Sequence, residues 1–145
     1  MKTRQIRGIS IVLILTLLIS VLVLPVTAAT ASSAYIWVTS ATLTQGSTAG
    51  TIRVNYSITG MGRMDSIGVS KIEVYKSNGV KYRTIYGSVS NGLILNNRAS
   101  ATGSYDISCV AGTSYYCKVT LIAAKDGGYD TVTIQTGTVV APTSP

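Results

Sequence analysis

The chain has 145 residues, which is room for one domain. Only 12% of them are charged, Phe and His are absent, and nine tyrosines with one tryptophan supply all the aromatic area. Without His there is no His-based triad, His-ligated metal or imidazole acid–base chemistry, and five carboxylates are a poor supply for cation cages or paired-acid catalysis.

The first segment reads as an export signal. Lys2, Arg4 and Arg7 form a positive start, Ile9 to Leu24 is sixteen nearly unbroken Ile, Leu and Val residues, and Pro25 ends the run. Small residues follow, so cleavage is expected after Ala28 or Ala31, with residues 1–31 as the signal peptide. Sixteen apolar residues fall short of the roughly 20 that span a bilayer comfortably. No Cys lies nearby to carry a lipid. Arg7-Gly8-Ile9-Ser10-Ile11-Val12 also resembles the start of a type IV prepilin, which would imply cleavage after Gly8 and a retained hydrophobic assembly helix. That family carries Glu at the fifth processed position, where this chain has Leu13.

Loss of the signal removes three of the twelve basic residues, leaving nine against five acidic ones and a net charge of +4. The nine are scattered rather than clustered, which argues against nucleic acid as a partner. A mild attraction to anionic wall polymer or membrane surface fits the balance better.

From residue 34 to 140 the alternation of apolar and polar residues has the period of a strand. Ile36 to Leu43 is the first strand, with a phase shift near Thr39-Ser40 that predicts a bulge. Thr51 to Thr59 places Ile52, Val54, Tyr56 and Ile58 inward. A stretch with Gly60, Gly62 and Gly68 reads as a loop, and Val69 to Lys76 then places Ile72 and Val74 inward. Asn78-Gly79 predicts a type I′ hairpin turn into Val80 to Tyr86. A short Leu93-Ile94-Leu95 strand, Tyr105 to Cys109, Tyr115 to Ala124, a Lys125–Gly128 turn and Asp130 to Val139 complete the set. Residues 141–145 are polar and Pro-rich and are expected to be a disordered tail. The reading is all-β: one antiparallel β-sandwich of seven to eight strands.

Gly112-Thr113-Ser114-Tyr115, followed by the alternating Cys117, Val119 and Leu121, resembles the E–F corner of fibronectin type III and immunoglobulin-like modules. The layout also resembles small exported β-proteins of Gram-positive bacteria. The resemblance implies that Gly112 and Thr113 make a turn and that the Tyr115 hydroxyl bonds back to the corner backbone. The strand-C Trp of that family is missing; Trp37 sits in the first strand instead. Two cysteines in an exported chain are most simply one disulfide, so Cys109 and Cys117, flanking the corner, are expected to staple it.

No nucleophile motif or phosphate-cradling glycine pattern occurs after the signal, and Asp126 and Asp130 flank a hairpin whose Asp and Gly serve the turn. No catalytic residue, metal or cofactor is expected. What remains is a sheet face carrying Lys71, Tyr75, Tyr116, Lys118 and Ile122, with Glu73 and Thr120 in the same rows. Tyr beside Lys on a strand face can stack on sugar rings or anchor a protein. The sequence therefore predicts a secreted, non-enzymatic binding or adhesion module directed at glycan, wall polymer or an extracellular protein. A pilin-like assembly subunit is the alternative.

Overall fold

β-Branched and aromatic residues at every second position favour extended backbone that buries one face, and the chain obeys that rule almost throughout. The structure, a computed structural model, describes residues 33–144. The signal peptide, its cleavage sites and the prepilin-like start lie outside the described residues. Seven strands follow in order: β1 Ile36–Gln45, β2 Thr51–Lys76, β3 Lys81–Tyr86, β4 Ile94–Ser108, β5 Ser114–Lys125, β6 Gly128–Gln135 and β7 Val139–Val140. Every pairing among them is antiparallel. Among the described residues no helix is long and apolar enough to cross a membrane.

The 26-residue β2 organises the fold. Its first half pairs with β1 on one edge and β4 on the other; its second half pairs with β5 and β3, and β6 joins β5. The sheet curls into a half barrel that brings β1 against β5, β6 and β7. The inside of the curl is the core, where Ile52, Val54, Ile58, Ile67, Val69, Ile72, Val74, Val119 and Leu121 lose all contact with solvent.

The glycine stretch expected as a loop is instead the middle of β2. The strand absorbs the extra residues in bulges, as register shifts between Thr59 and Met64 and between Val69 and Lys71. These shifts let Met64, Ile67, Val69 and Ile72 all face inward although strict alternation would not place them together. Two glycines are required where the 87–93 loop crosses β2. A Cβ on Gly87 would sit on the Val69 carbonyl, and one on Gly68, whose φ is +149°, would sit on the Leu93 carbonyl. Asn91 braces the same loop, its side chain accepting from the Ser88 and Leu93 N–H groups and donating to the Tyr86 carbonyl.

Other differences from the sequence reading have local causes. The first-strand bulge falls between Ile36 and Val38, earlier than Thr39-Ser40, and leaves Trp37 72% exposed. β4 begins at Ile94 and runs unbroken, although residues 96–104 look like a loop: paired only to β2, it has a polar outward edge and needs few apolar residues. At Asn78-Gly79 only Gly79 has positive φ (+85°), and the Lys76 carbonyl accepts from the Gly79 N–H. That is a three-residue turn rather than type I′. The type I′ signature falls on Asp126 (φ +51°) and Gly127 (+80°) instead. The ordered fold continues past residue 140: Ala141 is buried, and the Pro142 carbonyl accepts from the Gly50 N–H at 2.7 Å.

Candidate binding face on the second half of β2

Strand register places the candidate residues on the outward face. Tyr75 lies opposite Tyr116 on β5 and opposite Lys81 on β3, while Glu73 lies opposite Lys118. The Tyr75 and Tyr116 rings stack with centroids 5.2 Å apart and planes within 9°. Both Lys81 and Lys118 hold their ammonium groups over the Tyr75 ring, at 5.5 and 5.3 Å from its centroid. Tyr116 and Lys118 approach Tyr75 from the β5 side and Lys81 from the β3 side.

Glu73 is the only carboxylate in this cluster. It accepts from Lys81 at 2.6 Å and lies 3.4 Å from Lys71. Lys81, and Lys71 beside it, hold the Glu73 carboxyl below its ordinary range, and Glu73 in turn raises Lys81. Lys118 pairs with no carboxylate among the described residues. Three ammoniums against one carboxylate leave this patch with an excess of positive charge.

By the alternation of β2 and β5, Lys71, Tyr75, Tyr116, Lys118 and Ile122 all belong to one outward face; Ile122 is at its far end from the tyrosines, two residues past the Thr120 that pairs with Lys71. It lies opposite Gly68 and Thr131, six residues along β5 from Tyr116, or about 20 Å at strand rise, and is half-buried there. Lys81 belongs to the cluster and was not among the residues expected; the hairpin register that sets it beside Tyr75 depends on a bulge between Val74 and Tyr75. The same bulge frees Tyr82 to pack on Tyr115, with centroids 5.2 Å apart.

At the corner, the fully buried Tyr115 accepts a hydrogen bond from the Val110 N–H at 3.1 Å. Gly112 takes φ +76° and donates its N–H to the Ala141 carbonyl, and the Ala141 N–H donates to Thr113. The disulfide expected between Cys109 and Cys117 is not formed: both thiols are free. Cys117 points into the core from the middle of β5, whereas Cys109 follows β4 and is tied through its N–H to the Gly50 carbonyl. Hydrogen bonds hold the corner in place of a covalent staple. Burial pushes the Cys117 thiol up to about 12 and also raises Cys109, so the fold disfavours both thiolates.

Each carboxylate has its own partners. Asp130 accepts from the Ser33 hydroxyl and the Tyr35 N–H, each at 2.7 Å, Asp65 accepts from the Asp126 N–H, and Asp106 pairs with Arg53. Among the described residues no three potential metal ligands come together.

No family model, curated protein or solved structure matches the chain.

Proposed function

We propose that the protein is an exported, non-catalytic binding or adhesion module whose outward β3–β2–β5 face engages glycan, wall polymer or an extracellular protein. The observation that carries this reading is the Tyr75–Tyr116 stack with the Lys81 and Lys118 ammoniums over it and Lys71 joined to Lys81 through Glu73. Tyrosine rings fixed in a cross-strand stack offer contact area at low entropic cost, and the ammoniums add long-range attraction. Export is supported by the charged start, apolar run and small residues of 1–31. A non-catalytic role is supported by carboxylates engaged in hydrogen bonds and ion pairs of the fold and by burial that disfavours the Cys117 thiolate.

Within this reading the curled sheet is a sandwich related to immunoglobulin-like and fibronectin type III modules. The hydrogen bond from the Val110 N–H to the Tyr115 hydroxyl supports that kinship. A pilin-like assembly subunit is the second reading, favoured by the edges of β1, β4 and β6, each paired on one side only among the described residues.

The test is the double substitution Tyr75→Ser and Tyr116→Ser. Cell-surface retention is expected to be lost while the fold keeps its cooperative unfolding, since the stack adds only about 0.5–1.5 kcal/mol beyond its buried area. Retention equal to that of the parent would refute the binding face. N-terminal sequencing separates the two readings: a chain starting near Ala29 or Ser32 supports the exported module, and one starting at Ile9 the assembly subunit.

A further inference from the structure

We infer that the ligand of this face is an extended polyanion, a polymer bearing phosphate or carboxylate groups, rather than a neutral glycan. The inference rests on the binding-face reading above and narrows it. A neutral sugar is held on a protein chiefly by laying its apolar ring face on an open aromatic ring face. Tyr75 is occupied, because Tyr116 stacks on it from β5 while the Lys81 and Lys118 ammoniums lie over its ring, and the open ring of this face, Tyr86, lies directly opposite a third cation, Lys71. Glu73 is shared by Lys71 and Lys81 and so neutralises only one of them, while Lys118 meets no carboxylate among the described residues. The lysines lie on three adjacent strands, β2, β5 and β3, which neighbour one another at about 4.8 Å. A row of cations across three strands complements repeated charges along a chain better than a single small anion.

The same lysines would attract an anionic lipid surface, and beside them stand one exposed ring, Tyr86 opposite Lys71, and Ile122, which is half-buried in the sheet. The row between Ile122 and Lys118 is Thr120 and Thr133, whose hydroxyls bond each other at 3.0 Å. Three lysines with a single hydroxyl-bearing exposed ring offer much charge and little to insert, which favours a polymer in solution or in a wall over a bilayer.

The experiment titrates the full chain with three probes: polyphosphate of defined length, uncharged dextran, and vesicles of phosphatidylglycerol. Polyphosphate is expected to bind with an affinity that falls steeply with salt, and dextran not to bind. Lys81→Gln with Lys118→Gln should weaken polyphosphate binding about tenfold or more, as expected for loss of two of the three cations on this face. Lys81→Arg with Lys118→Arg should restore it, which shows that charge rather than folding is read. Dextran binding that ignores the glutamine variants would overturn the polyanion inference and leave the binding face standing. Tighter binding to vesicles than to polyphosphate, lost in the same variants, would overturn the polymer in favour of a membrane. No binding to any probe, with surface retention unaffected by Tyr75→Ser and Tyr116→Ser, would remove both the inference and the face.

Discussion

The two halves of β2 obey one inward rule and opposite outward ones. From Thr51 to Thr59 the strand buries Ile52, Val54, Tyr56 and Ile58, and its outer face with β1 and β4 is a field of short polar groups. Ser40, Thr42, Asn55, Ser57, Thr102 and Ser104 line a shallow groove there of about 380 Å³. These groups bond one another, Ser57 with Thr102 at 3.1 Å and Asn55 with Thr44 at 3.2 Å, and Arg53 is neutralised by Asp106 directly opposite. From Val69 to Lys76 the core letters are the same kind, Val69, Ile72 and Val74, but the outer face carries long charged and aromatic side chains with charge left over. Burial explains the fold of both halves. Only the second half presents chemistry that the fold does not itself satisfy.

The largest expected effect lies where the halves join. Gly87→Ala drives a methyl group into the Val69 carbonyl, in backbone that cannot yield without moving β2. Loss of cooperative unfolding in a thermal melt is expected; a melt close to the parent's would show the crossing to be loose. Next, Ile52→Ala and Ile72→Ala remove one buried side chain from each half, and each should cost about 2–5 kcal/mol in denaturant titration. Similar losses with unchanged m-values mean one shared core, whereas two separate transitions would split the halves into independent units.

Tyr115→Phe is a smaller perturbation. It removes the acceptor of the Val110 N–H and is expected to cost about 1–3 kcal/mol. Thiol labelling of the native chain should reach half-buried Cys109 well before Cys117, because the latter is enclosed and its thiol is held up near 12.

The smallest effect is that of pH. Asp106 beside Arg53, Glu73 beside Lys81, and Asp130 bonded to Ser33 and Tyr35 all have lowered values in the fold. Their stabilising share is therefore complete above the unfolded carboxylate range, roughly pH 4, and is lost as pH falls through the lowered values. Melting temperatures should be flat in weak acid and decline below about pH 4. Asp106→Asn should reduce that decline through the first half alone, and a steeper decline would contradict the assignment.

Legibility from sequence follows the same division. Ile52, Val54, Tyr56 and Ile58, and later Ile72, Val74, Val119 and Leu121, were readable because period-two burial is written in residue type. β4 was hidden between Asn96 and Ser104, since a strand paired on one edge needs little apolar area to hold it. The continuity of β2 through Gly60 and Gly68 was hidden too, because glycine marks a turn and a bulge with the same letter. On the outer face, Tyr75 and Tyr116 could be placed on one side of the sheet by parity. Their stacking, and the arrival of Lys81 over Tyr75, depend on cross-strand register, which a bulge shifts by one residue without any distinctive signal.

The most direct test is to follow backbone and lysine side-chain NMR signals of the ¹⁵N-labelled full chain during titration with polyphosphate. The account predicts shifts that saturate at Lys71, Glu73, Tyr75, Lys81, Tyr116 and Lys118, with Ser40, Thr42, Asn55, Ser57, Thr102 and Ser104 unmoved. Shifts concentrated on that hydroxyl-lined groove, or spread evenly over every lysine and arginine of the chain, would contradict it.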